Sequence, residues 1–109
     1  MQKQAILVME KRNPPEKMKT VRWCRLYQLA DCYLDLSFEE GEQKSLTGQI
    51  LCKGEHKPTL ARVELSGPGR PRQEQEVALG ERFSLIVTSL EGCWLEVTLG
   101  PDTYHVPLP

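Results

Sequence analysis

An all-β fold, a sandwich or barrel of short strands behind a short N-terminal arm, is predicted by three features of the sequence. Apolar and polar residues alternate with period two in run after run, Gly- and Pro-rich turns separate the runs, and no window holds the i, i+3, i+4 apolar spacing of a helix over three turns. Short strands in such number bury their apolar faces against one another as a sandwich or barrel. A chain of 109 residues fits one domain, and a domain of that size buries roughly 65% of the surface its unfolded chain exposes.

Taken in order, Ala5 to Met9 reads as one short strand. The stretch "KRNPPEKMK" ends it, because two consecutive prolines cannot donate to a ladder. Residues 1–19 are therefore an arm with its linker, and the sandwich domain occupies residues 20–109. Within it the expected strands are Val21–Leu29, Cys32–Phe38, Lys44–Cys52, Leu60–Ser66, Glu74–Leu79, Arg82–Thr88, Cys93–Leu99 and Thr103–Leu108. Turns fall between them at "EEGEQ", "KGEHKP", "SGPGRP", "LGE", "LEG" and "LGPD". The alternation also assigns faces. Cys32, Leu34, Leu36 and Phe38 share an inward face, as do Leu46, Gly48, Ile50 and Cys52, while Phe83, Leu85 and Val87 match Cys93, Leu95, Val97 and Leu99. Trp94, Glu96 and Thr98 then point outward. Each fully buried aliphatic or aromatic side chain contributes about 1.5 to 3 kcal/mol, so these runs hold the core.

The same runs carry a family pattern. "LTGQIL" (Leu46–Leu51), "ARVELSG" (Ala61–Gly67) and "GERFSLIVTSLEGCWLEVTL" (Gly80–Leu99), the last reading G-x-x-F-x-L and then L-x-G-x-W-L-x-V, resemble the carboxypeptidase regulatory-like, or transthyretin-like, β-sandwich. The likeness spans Leu46–Pro109, and "RLYQLADCYLDLSFEEGEQKSLTGQIL" is similar to small bacterial proteins with that sandwich at their C-terminus, some encoded beside alternative sigma factors. The resemblance implies a seven-stranded Greek-key, prealbumin-like sandwich and an accessory or binding role in regulation or signalling, without catalysis. The chain departs from the pattern in "SGPGRPRQEQEVAL", where Leu79-Gly80-Glu81 stands in place of the usual Asp-Gly turn.

Charge and cysteine content narrow the partners. The net charge is −1, which gives no global attraction to nucleic acid or to an acidic membrane. Its distribution is uneven. Residues 1–25 hold seven basic side chains (Lys3, Lys11, Arg12, Lys17, Lys19, Arg22, Arg25) against Glu10 and Glu16, or +5, which leaves −6 for the rest. No apolar run reaches the roughly 18 residues of a membrane helix, and "AILVM" is too short for the core of a secretory signal. A cytoplasmic location follows as the expectation, with Cys24, Cys32, Cys52 and Cys93 reduced.

Chemistry-bearing constellations are sparse, and neither a cofactor nor an enzymatic activity is expected. The cysteines form no C-x-x-C pair and run in phase with buried aliphatics, Cys52 and His56 standing four apart. Ser45, Ser66, Ser84 and Ser89 sit in no nucleophile elbow, and His105 alternates outward between Tyr104 and Val106. Arg70 and Arg72 in "SGPGRPR" read as a solvated loop. The strand "VRWCRLYQL" is the richest surface, since both of its faces are partly apolar. Trp23, Arg25 and Tyr27 share one of them, and Trp, Tyr and Arg dominate interface hot spots. With Lys11 and Arg12 of the basic arm, these three form the expected site for another protein, one of acidic character. Glycan binding is the rival reading and would use an exposed aromatic row drawn from Trp23, Tyr27, Tyr33, Trp94 and Tyr104.

Overall fold

The structure, a computed structural model, describes residues 2–12, 21–53, 60–69 and 71–109. It is all β. Ten strands occur in chain order: β1 (Gln2–Gln4), β2 (Ile6–Arg12), β3 (Val21–Leu29), β4 (Cys32–Glu40), β5 (Lys44–Cys52), β6 (Leu60–Ser66), β7 (Gln73–Ala78), β8 (Arg82–Val87), β9 (Trp94–Leu99) and β10 (Asp102–Pro107). They form two five-stranded sheets, β1-β10-β9-β6-β7 and β2-β3-β4-β5-β8. The neighbours β5–β8 and β6–β9 are brought together by crossovers between the sheets, as in Greek-key sandwiches. Among the described residues ten strands stand against the seven that the resemblance implies and the nine runs read from alternation. The surplus comes largely from the N-terminal residues: the single short strand read at Ala5–Met9 is two strands, one in each sheet, which hinge at buried Ala5. The linker around Asn13–Lys19, the part of "KGEHKP" that contains His56, and Arg70 of "SGPGRP" lie outside the described residues.

The inward faces follow the alternation. Leu34, Leu36, Leu46, Ile50, Leu65, Val63, Leu95, Val97 and Val106 are sealed between the sheets, with Phe83, Leu85 and Val87 closing the β8 side. Close packing dictates Gly48. A Cβ there would stand 2.5 Å from Phe83 Cζ and 2.8 Å from Leu36 Cδ2, so the aromatic ring occupies the place of a side chain. Gly92, at φ 72°, turns the chain from β8 into β9 in a conformation that favours glycine. The turn carries the chain into the opposite sheet, where β9 pairs with β6 so that Leu95 and Val97 meet Leu65 and Val63.

One expectation is overturned. Cys32 and Cys52 form a disulfide, and only Cys24 and Cys93 are free thiols. The two cysteines are 20 residues apart in sequence, yet β4 and β5 pair antiparallel so that they fall directly opposite, with Cα atoms 4.0 Å apart. Close sequence spacing, the feature that reveals metal knuckles, is blind to a cross-strand pair of this kind. Among the described residues no helix is long and apolar enough to cross a membrane.

Candidate functional site

The face expected to bind a partner is turned the other way. Val21, Trp23 and Tyr27 are buried, Tyr27 completely, and the Arg25 side chain keeps 12% of its exposure. The residues do meet, but as an internal tie. Arg25 Cζ lies 5.9 Å from the Trp23 ring centre and 6.0 Å from that of Tyr27, distances at which a guanidinium is attracted by the ring faces. Arg25 Nη1 donates to Tyr27 Oη at 2.9 Å, Arg25 Nη1 and Tyr27 Oη both donate to the Pro107 carbonyl at 3.3 and 2.6 Å, and Arg25 Nε pairs with the Glu10 carboxylate. Pro107 belongs to β10 of the opposite sheet, so this cluster rivets β2 and β3 to β10 at the side of the sandwich. Burial raises the Tyr27 phenol above its ordinary range. The carboxyl of Glu10 is held below the usual carboxylate range by hydrogen bonds from Arg12 and Arg25. For Arg25, desolvation works against the charge, and its bonds to Tyr27 and Glu10 outweigh it, raising the pKa.

What the sandwich leaves outside is the other face of β3 and nearly all of β2. Ile6, Leu7, Val8 and Met9 are consecutive and exposed at 60, 44, 50 and 53%. They lie on a strand that ends its sheet among the described residues, where an edge presents backbone groups free of ladder partners. The pairing of β2 with β3 shifts between Leu7 and Met9, leaving Val8 at a bulge. The shift puts Met9 opposite Leu26 and Lys11 opposite Cys24. Met9, Lys11, Cys24 and Leu26 then flank a shallow hollow of about 590 Å³ on the outer sheet face, which continues over Ser37 to Arg82. Within it Ser37 Oγ donates to Cys24 Sγ at 3.4 Å, and the Thr47 hydroxyl oxygen lies 3.5 Å from that of Ser84.

Of the expected site residues, Lys11 and Arg25 line this surface; Arg25 is paired with Glu10, and Lys11 forms no ion pair among the described residues. Arg12 is exposed but bonded to Glu10 at 3.2 Å, and Arg22 pairs with Glu40 at 3.1 Å. Sequence reasoning weighed the two faces of "VRWCRLYQL" and chose the aromatic one, whereas the larger rings belong to the core. A usable signal was present in "AILVM": four bulky residues without alternation cannot all turn inward from one edge strand.

The glycan-type row is not formed. Trp23, Tyr27 and Tyr104 are buried, leaving Tyr33 and Trp94 half-exposed on opposite sheets. Trp94 neighbours His105, ring centres 6.1 Å apart, on the outer face of β9 and β10. Among the described residues no three His, Cys, Asp or Glu groups are placed to hold a metal ion. No family model matches the chain, and no curated protein or solved structure matches it.

Proposed function

We propose that this protein is a non-catalytic β-sandwich module that binds another protein through β2 and the adjoining outer face of β3. One observation carries the reading: four consecutive large apolar residues, Ile6 to Met9, stand about half exposed on an open sheet edge. Contiguous exposed apolar area of this kind marks interaction surfaces, and an open edge adds backbone groups that accept a further strand. Lys11 beside the patch steers an acidic partner. The resemblance of Leu46–Pro109 to transthyretin-like sandwiches supports an accessory role. The cytoplasmic expectation carried with it four reduced thiols, and the Cys32–Cys52 bond weighs toward an oxidising compartment instead.

The test compares Met9→Glu with wild type. Met9 is exposed, so the variant folds with unchanged thermal stability. Wild-type protein retains a protein from an extract of its source cells that the variant loses, and titration with that purified protein shows a loss of affinity of about tenfold or more, as for a hot-spot side chain. Equal retention by both proteins, or binding confined to glycans on an array, would overturn the proposal.

A further inference from the structure

We propose that the β2 edge docks on the opposite side of a second copy of this chain, the side formed by β7 and β8. The inference rests on the reading of β2 as a protein-binding edge and names its occupant. The two sheets are arranged so that β1 and β2 end them on one side while β7 and β8 end them on the other. Among the described residues both sides are therefore open edges. Gln73 Nε2 donates to the Ile86 carbonyl at 3.0 Å, which ties β7 to β8 across the gap between the sheets and makes one surface of the two strands.

The two sides are complementary in charge. From Gln2 to Arg12 the chain holds Lys3, Lys11 and Arg12 against Glu10, a net +2; from Gln73 to Val87 it holds Glu74, Glu76 and Glu81 against Arg82, a net −2. Much of this charge is already paired within the molecule, as in Lys3–Asp102, Arg12–Glu10 and Arg62–Glu74. Lys11 on one side and Glu76 and Glu81 on the other form no ion pair among the described residues. Apolar area matches as well. Val8 and its neighbours face outward on β2, and Ile86 is 59% exposed on β8.

Like-with-like association is opposed by the charges left unpaired, since a β2–β2 contact would bring two Lys11 side chains together and a contact between two β7–β8 sides those of Glu76 and Glu81. The contact is thus head to tail. A heterologous interface that does not close leaves one free edge of each kind, so it extends into short rows of copies instead of stopping at a dimer. The Val8 bulge and Lys11 are the devices by which edge strands resist indiscriminate pairing, and here they confine association to an edge of opposite charge.

The experiment is sedimentation velocity on the full chain over a concentration series, with wild type, Val8→Glu and Ile86→Asn, each checked for an unchanged melting temperature. Wild type shows a mass that rises with concentration, and association weakens about tenfold as salt is raised past the point where the screening length falls to a few ångströms. Each variant alone stays monomeric where wild type associates. An equimolar mixture of the two variants forms a species of two chains and no larger one, because the intact β2 edge of Ile86→Asn meets the intact β7–β8 side of Val8→Glu. Wild type that is monomeric throughout would overturn the proposal, as would Ile86→Asn associating as strongly as wild type. Either result leaves the capture of a different protein by β2 to be judged on Met9→Glu, so the two readings fail separately.

Discussion

Removing the disulfide gives the most informative perturbation of the fold, because it separates the structure from the reduced state that the sequence alone suggests. Cys32 and Cys52 close a loop of 20 residues. Chain-entropy arguments assign a loop of that length about 3 kcal/mol of stabilisation through the unfolded state. The bond lies at the end of a β4–β5 hairpin whose register runs unbroken from Glu40–Lys44 to Cys32–Cys52. The hairpin thus forms without it, and its loss lowers stability without changing the fold. For a domain of this size 1 kcal/mol moves the melting temperature by about 4 °C, so the Cys32→Ser/Cys52→Ser variant should melt about 10 to 15 °C below wild type. The assay is thermal unfolding by far-ultraviolet circular dichroism, with and without a phosphine reductant. Reductant should bring wild type to the level of the double variant and leave the double variant where it is. Four titratable thiols in oxidant-free, unfolded wild-type protein, with a melting temperature indifferent to reductant, would refute the assignment.

Other expected outcomes follow from single side chains. Gly48→Ala should cost about 1 to 3 kcal/mol in urea unfolding, because the new methyl collides with Phe83 and Leu36. Trp23→Ala should cost about 3 to 5 kcal/mol in the isolated protein, as for a buried aromatic ring; a fully stable variant with impaired binding would return Trp23 to the interface. Glu10 has its folded pKa depressed by Arg12 and Arg25, so its contribution is present above its unfolded pKa and is lost as pH falls through the folded value. Hydrogen-exchange protection of β2 amides should fall with acidification in wild type and lose that dependence in Glu10→Gln.

Much of the fold was legible because period-two alternation is a local signal that the pleat enforces directly. Leu34, Leu36, Leu46, Ile50, Leu95 and Val97 are buried where alternation places them. What alternation does not encode is which strands become neighbours, and two readings turned on that. The Cys32–Cys52 bond depends on β4 pairing with β5 in one register. The fate of Trp23 and Tyr27 depends on the sheet opposite, whose Pro107 carbonyl receives their neighbour Arg25 and the Tyr27 hydroxyl. In a strand with apolar residues on both faces, the side with the larger rings is buried because each contributes more area to the core. The surface that remains is read from Ile6 to Met9, where a break in alternation meets an open edge.

Backbone amide chemical shifts recorded by nuclear magnetic resonance while the associating partner is titrated, or while the chain itself is concentrated, test the central claim most directly. The largest changes are expected along Ile6–Arg12 and at the outward positions Cys24 and Leu26, and, for self-association, also along β7 and β8. Changes concentrated instead on the outer face of β9 and β10, around Trp94 and His105, would contradict it.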